Sequence, residues 1–295
     1  MNKLLRALCF NGEISVCVIQ SEDMVNDAVK IHDFSPACAK AFGEVITACS
    51  YMASSLKNDG DKLSVVLAGN GFGGKFTVCG NGKLQMRGYV ENPRADAGKT
   101  NGKTITDGDS VTEEDAVACI GKEGRLTSVI SMGLKEPYSG SCSLAGTVAR
   151  DFESYFSVSE QTPTAVFLDS DFRGKVCARS FGVFVQAMPQ ASAEALDGAV
   201  KAIEKISSQS LSKKYNDAEE IMKTVFGNDE PETFFPEYKC LCDSDYIEKM
   251  LLSLGEKETR EIVREEGEIV VKCEFCNKEY RYNEKDLDRL FHNDD

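Results

Sequence analysis

No stretch of eighteen consecutive apolar residues occurs in this 295-residue chain, so the sequence offers no membrane-spanning helix. The opening Met1-Asn2-Lys3-Leu4-Leu5-Arg6 is apolar only briefly; Arg6 and Asn11 interrupt it, and it lacks the long apolar stretch of a signal peptide. The expected location is therefore the cytosol, with no membrane partner. Histidine is scarce. Only His32 and His292 are present, which leaves little material for histidine acid–base chemistry. His292 lies in the tail, and His32 is expected to end a helix, where it would act on the terminal carbonyls. Basic charge is also short: 34 Lys and Arg against 48 Asp and Glu give a net charge of −14. From Asp229 to Asp295 there are 20 acidic and 10 basic residues, so this region has the wrong sign for a phosphate backbone and no nucleic-acid partner is expected.

What is present is enough for a folded protein. With 42% hydrophobic residues the chain can bury a sizeable core, and its length predicts one large domain with one or two smaller ones. Two strands, Leu4 to Phe10 and Ile14 to Gln20, are joined at Asn11-Gly12, a strong hairpin signal. A helical stretch from Ser21 to about His32 comes next. Ser35-Pro36 then supplies an N-cap and a first-turn proline for a helix to about Lys57. Strands are expected at Leu63 to Ala68, Lys75 to Cys79, Lys83 to Val90 and Leu126 to Met132. Residues 91–124 are polar and Gly-rich with a weak helical patch at Glu113 to Cys119. A helix is expected over Ser143 to Phe156, and strands at Ala165 to Leu168 and Lys175 to Met188. The fold class is α+β, with an antiparallel sheet in a domain spanning 1–189.

Beyond Pro189 the character changes. Helices at Ala191 to Ile206 and Asp217 to Phe226 flank a polar break, and residues 190–232 read as a marginally stable helical linker. Residues 233–295 form a small C-terminal module with a helix at Asp245 to Leu254 and strands at Glu268 to Lys272 and Lys278 to Tyr282.

Two features could carry chemistry. Gly69-Asn70-Gly71-Phe72-Gly73-Gly74 contains G-x-G-x-x-G, but dinucleotide binding needs a helix directly after it, and Lys75 to Cys79 alternates as a strand does. A glycine turn in a hairpin is the reading, with no nucleotide bound. The twelve cysteines divide into two populations. Cys9, Cys17, Cys38, Cys49, Cys79, Cys119, Cys142 and Cys177 are scattered singletons, read as small buried hydrophobes. Cys240-Leu241-Cys242 and Cys273-Glu274-Phe275-Cys276 are two tight pairs thirty residues apart. Two chelating thiolate pairs are the donor set of a structural Cys₄ zinc site, one Zn²⁺ per chain. A redox dithiol at Cys273 and Cys276 is the enzyme alternative. It lacks a helix opening on the first cysteine, and Glu268, Glu274 and Glu279 surround it.

The C-x-C pair followed by C-x-x-C near the end of a chain of this length resembles the heat shock protein 33 family of redox-regulated chaperones. Further stretches carry the resemblance along the chain: Gly69-Asn70-Gly71, Met86-Arg87-Gly88-Tyr89-Val90-Glu91-Asn92-Pro93, Gly133-Leu134-Lys135-Glu136-Pro137-Tyr138-Ser139-Gly140, Tyr155-Phe156-Ser157-Val158-Ser159-Glu160-Gln161, and Cys273-Glu274-Phe275-Cys276-Asn277-Lys278-Glu279-Tyr280. The departure is the eight further cysteines of the first domain, which raise the question of a wider thiol sensor. The resemblance implies an ATP-independent holdase, not an enzyme, that binds unfolding client proteins and works as a homodimer when activated. It implies that Cys240, Cys242, Cys273 and Cys276 are both zinc ligands and switch thiols: inactive when reduced and zinc-bound, active once Cys240–Cys242 and Cys273–Cys276 are disulfides and zinc is released. Residues two or three apart can reach disulfide range. A structural zinc contributes roughly 10–16 kcal/mol of apparent folding energy, and loops this short return only roughly 2 kcal/mol per disulfide. Oxidation would therefore unfold the module, and the helices of the linker would go with it. The competing reading is a zinc-stabilised interaction domain without a switch.

Overall fold

Strand β1 (Lys3–Cys9) pairs antiparallel with β2 (Ile14–Gln20), from Lys3 opposite Gln20 to Cys9 opposite Ile14. Phe10, Asn11 and Gly12 between them all have positive φ (51°, 59° and 86°), so Asn11-Gly12 is the turn its residue types predict. The computed structural model describes residues 1–95, 105, 109–133, 136–207 and 210–292; of the polar stretch 91–124, residues 96–104 and 106–108 lie outside the described residues. The chain forms two units, Met1–Lys239 and Cys240–Asp295.

In the first unit, α1 (Glu22–His32) and α2 (Pro36–Ala53) succeed the hairpin, then β3 (Lys62–Gly69), β4 (Lys75–Asn81) and β5 (Gln85–Val90). Next come α3 (Glu113–Ile120), β6 (Gly124–Ser131), β7 (Tyr138–Ser143), α4 (Val148–Val158), β8 (Thr164–Arg173) and β9 (Val176–Ala187). The unit closes with α5 (Ala193–Ser207), α6 (Leu211–Lys214), α7 (Ala218–Phe226), β10 (Glu232–Phe234) and β11 (Glu237–Tyr238). One sheet has the order β10-β1-β2-β9-β8 and the other β11-β5-β4-β3-β6-β7. Apart from β11, which runs parallel to β5, the pairings are antiparallel, and the α+β class is observed.

Helix α2 packs against strands of both sheets. Its small residues let it approach closely: a Cβ on Gly43 would stand 3.1 Å from Val25 Cγ1 of α1 and 3.4 Å from Phe172 Cζ of the five-stranded sheet. Ser35 caps it, its Oγ accepting the Cys38 N–H at 3.4 Å, and Pro36 opens it. It ends at Ala53, short of Lys57, because the N–H groups of Ser55 and Leu56 bond three residues back, to Met52 and Ala53, in a tightened turn. Between the sheets lie Phe34, Phe42, Val45, Leu63, Val65, Phe76, Val78, Tyr155 and Phe184. One ion pair is buried there: Lys40 Nζ meets Glu44 Oε1 at 3.1 Å and donates to Ser170 Oγ and O at 3.0 and 3.1 Å.

Alternation splits the five-stranded sheet between two cores. Leu4 faces α2, and its neighbour Leu5 faces the other way. That second face carries Leu5, Ala7, Val16, Val18, Phe181, Val183 and Val185, and it packs with Ala195, Ala199, Ile206, Leu211, Ile221, Met222 and Phe226 of α5, α6 and α7. The helices of the segment 190–232 thus cover one apolar sheet face.

One local expectation is corrected here and another is met. The helix expected over Ser143 to Phe156 is α4, starting at Val148, and the residues before it are strand β7 and a turn. Ser143 belongs to the ladder opposite Arg125, and the Leu144 N–H still bonds to Gly124 O at 3.1 Å. The Gly-rich run lies in the turn between antiparallel β3 and β4, with no helix after it. Its glycines let the end of α3 sit on the turn. Gly71 and Gly73 N–H donate to Ile120 O and Cys119 O at 2.9 and 2.8 Å, where side chains would collide.

Candidate metal centre

The second unit holds α8 (Ser244–Leu254), α9 (Glu256–Glu266), β12 (Ile269–Lys272), β13 (Glu279–Tyr282) and α10 (Glu284–His292). Neither α9 nor α10 was expected from the sequence. Helix α9 buries only Thr259 and Val263, too few to print an apolar stripe, whereas α10 sets Leu287, Leu290 and Phe291 at helical spacing against the core, a short pattern at the end of the chain that sequence reasoning passed over. The two helices are joined by Arg260, whose guanidinium reaches Glu256 at 2.8 Å, Glu284 at 2.6 Å and Asp288 at 2.8 Å. Sequence reasoning missed this residue because its partners lie up to 28 positions away. The buried core is small: Ile247, Leu251, Val263, Ile269, Tyr280, Tyr282 and Leu287. A unit of this size with so few buried side chains needs a further staple.

That staple has an evident position. Cys240 and Cys242 lie just before α8, whose N-cap Asp243 accepts the Tyr246 N–H at 2.8 Å. Cys273 and Cys276 lie in the tip between β12 and β13, which pair from Ile269 opposite Tyr282 to Lys272 opposite Glu279. The Cys273 N–H donates to Lys278 O at 2.9 Å and the Asn277 N–H to Cys273 O at 2.8 Å, with Asn277 at φ 59°. The tip turns both thiols inward.

All four cysteines are free thiols and half-buried, and their Sγ atoms lie within 4.8 Å of one another. Cys240 stands 3.7 Å from Cys273, and Cys242 stands 3.4 Å from Cys276. A zinc ion with four Zn–S bonds of about 2.3 Å has sulfur–sulfur edges of about 3.8 Å. The observed separations fit that tetrahedron, and four thiolates are the donor set a soft divalent ion prefers. Burial pushes the Cys242 thiol up, but hydrogen bonds from Tyr280 Oη at 3.1 Å and from the neighbouring thiols outweigh it and bring it down to about 7. Cys240 is raised, first by burial. Cys276 is raised too, again first by burial; a divalent cation would favour the thiolate at each of the four.

The sequence-predicted residues Cys240, Cys242, Cys273 and Cys276 are thus brought together at one point. His32 is elsewhere, in the last turn of α1: its Nε2 lies 3.0 Å from Tyr238 Oη and its ring stacks on Phe34. No helix among the described residues is long and apolar enough to cross a membrane.

An α+β domain followed by a small four-thiol module defines a class of protein, and the comparisons identify its family. The family model described as Hsp33 protein matches residues 2–283. The 33 kDa chaperonin of Alkaliphilus oremlandii is 32% identical over 98% of this chain and 96% of its own. That of Clostridium perfringens strain SM101 is 34% identical, covering 98% and 91%. The crystal structure of the 33 kDa chaperonin from Thermotoga maritima, a heat shock protein 33 homologue, superposes with a TM-score of 0.83 at 24% identity, covering 100% of this chain and 99% of that one. This chain belongs to the Hsp33 family of chaperones.

Proposed function

We propose that this protein is a redox-regulated, ATP-independent holdase. When reduced it is inactive, with one Zn²⁺ held by Cys240, Cys242, Cys273 and Cys276. The observation that carries the reading is the gathering of four free thiols from two chain segments at tetrahedral separations in a module with a minimal core. Zinc bound there would cross-link the segment before α8 to the β12–β13 tip.

Peroxide oxidises the module's cysteines two at a time: each pair of thiols gives up two electrons and two protons to one peroxide, yielding one disulfide and two waters. The nearest thiols lie across the pairs, and cross-pair disulfides would preserve the link between the two segments. The pairing that the resemblance implies, Cys240–Cys242 and Cys273–Cys276, removes it, and these are the bonds proposed for the active state. Each returns roughly 2 kcal/mol by loop closure against the roughly 10–16 kcal/mol that a bound structural zinc supplies. The module then unfolds.

The segment 190–232 is the second element of the switch. Its helices cover seven apolar side chains of the β1-β2-β9 face, and their release would present a sheet face for an unfolding client. The active form is proposed to be a homodimer, and the location cytoplasmic.

The test joins metal and activity. Reduced protein should contain one zinc per chain; peroxide should release it as aggregation of an unfolding client becomes suppressed, and non-reducing peptide maps should show the two within-pair disulfides. Zinc release without gain of aggregation suppression would leave a zinc-stabilised interaction domain in its place.

The Tyr280 hydroxyl supports the site from outside the ligand set. Replacing it by Phe removes the donor to Cys242, and groups of this kind contribute roughly 10–100-fold to metal affinity. Tyr280→Phe should lower zinc affinity by that factor in competition with a chromophoric chelator. An unchanged affinity would mean that the bond has no bearing on the metal.

A further inference from the structure

Eight cysteines lie outside the four-thiol module, and the structure separates two of them from the rest. Cys9, Cys17, Cys49, Cys142 and Cys177 are buried, and burial raises the pKa of each thiol. They pack as small hydrophobes, as expected of them; Cys79, expected to be buried as well, is only half-buried on β4, its thiol donating to Ser64 Oγ at 3.6 Å. Cys38 and Cys119 differ: their Sγ atoms are 3.1 Å apart, the one thiol–thiol hydrogen-bond contact of the first unit among the described residues.

We propose that Cys38 and Cys119 are a second, independent redox site, a dithiol that a peroxide converts to a disulfide inside the first unit. The two sulfurs already touch at 3.1 Å. A disulfide has a sulfur–sulfur bond of about 2.05 Å, so they must approach by roughly a further 1 Å.

The two thiols are not equivalent, and their surroundings assign the roles. Cys38 is the third residue of α2, in the turn capped by Ser35, where unpaired N–H groups and the helix dipole favour a thiolate. The hydrogen bond from Cys119 lowers the Cys38 thiol further, against the effect of burial. Cys119 is raised, first by burial. Cys38 is therefore the attacking sulfur. Its thiolate displaces hydroxide from the peroxide and becomes a sulfenic acid. Cys119 then attacks that sulfur: the S–S bond forms, the S–O bond breaks, and water leaves with the Cys119 proton. In sum, two thiols and one hydrogen peroxide give one disulfide and two waters.

Both thiols are held in place. As a thiol, Cys38 Sγ donates weakly to the carbonyls of Asn92 at 3.6 Å and Ala95 at 3.9 Å, contacts that fix the side chain and must be given up when the thiolate forms. Cys119 is held by its own carbonyl, which accepts the Gly73 N–H at 2.8 Å, and a Cβ on Gly73 would come within 2.7 Å of its sulfur. The glycine turn thus makes the room in which Cys119 faces Cys38.

The consequence is opposite in sign to oxidation of the module. There a cross-link is lost; here one is gained between residues 81 positions apart, tying the start of the central helix α2 to the end of α3. A bond closing so long a loop restricts the unfolded chain strongly. Both thiols are fully buried, so peroxide reaches them only through local opening, and they should react after the half-buried module thiols.

Full-length reduced protein treated with hydrogen peroxide, alkylated in denaturant and digested with trypsin without reductant tests this. The tryptic peptides Ile31–Lys40 and Thr104–Lys122 carry only Cys38 and only Cys119, respectively. The expected product is these two peptides joined, two hydrogens lighter than their sum, appearing more slowly than the module thiols disappear. Equally oxidised, the first unit of the parent chain should have a higher urea midpoint than that of Cys38→Ala, and dithiothreitol should abolish the difference. Zinc content of reduced Cys38→Ala should stay at that of the parent chain, so failure here is distinguishable from failure of the zinc reading. Recovery of both peptides alkylated after peroxide treatment continued well beyond complete oxidation of the module, and long enough for local opening of the first unit as judged by amide exchange, would overturn the proposal. So would recovery of Cys38 as sulfinic acid with Cys119 free.

Discussion

A chain carrying Cys273→Ser and Cys276→Ser is expected to bind no zinc, to lose the folded structure of residues 240–292, and to suppress client aggregation without any oxidant. The reason is how little else holds the second unit. Its buried core is seven side chains, its two-stranded sheet is four residues long, and Arg260 forms surface-exposed ion pairs that contribute modestly. A structural zinc is worth roughly 10–16 kcal/mol of apparent folding energy in a module of this kind, far beyond what that core can replace. Amide exchange should show residues 240–292 unprotected while strands β1 to β9 keep their protection. Zinc retained by the double variant would place the metal elsewhere. An unfolded module with no gain of activity would break the link between the module and the chaperone.

Ile221→Asp should activate the reduced protein while leaving its zinc in place. Ile221 and its neighbour Met222 are fully buried in α7 against the β1-β2 face of the sheet. Truncating an isoleucine in such a site costs about 2–5 kcal/mol, and the carboxylate adds a desolvation cost of at least about 1–3 kcal/mol. The cheaper course is for α5 to α7 to leave the sheet. The core between the sheets is a separate cluster and should survive. The reduced variant should then contain one zinc, bind a hydrophobic dye, be cut by protease within residues 193–226, and suppress aggregation at a level near that of oxidised parent protein. Proteolytic release of that segment without activity would show that the covered sheet face is not where clients bind.

Much of this was legible in the chain itself. The hairpin at Asn11-Gly12, the Ser35-Pro36 start of α2 and the α+β class all rest on local rules, in which a residue type answers a backbone requirement within a few positions. The Gly69–Gly74 run was readable as a turn because Lys75 to Cys79, directly after it, alternates as a strand does. The four module cysteines were readable because chelating pairs are short-range patterns, and their gathering within 4.8 Å is observed.

Where local rules do not reach, only the tertiary structure decided. Strands β10 and β11 are three and two residues long; their pairing with β1 and β5 comes from the sheet edges waiting for them, and nothing in the sequence around Glu232 to Tyr238 marks it. Helix α9 carries almost no apolar face, so its periodicity is invisible until Arg260 is seen among Glu256, Glu284 and Asp288; α10 has its Leu287, Leu290 and Phe291 stripe, but only the packing shows what that stripe covers. Cys38 and Cys119 are each unremarkable where they stand in the chain. They become a pair because α2 packs against α3 and the glycine turn holds the end of α3 in place. The sequence determined the elements and the metal-ligand pattern, because both are encoded over a few residues. The fold alone decided which distant thiols meet, because that depends on how the elements pack.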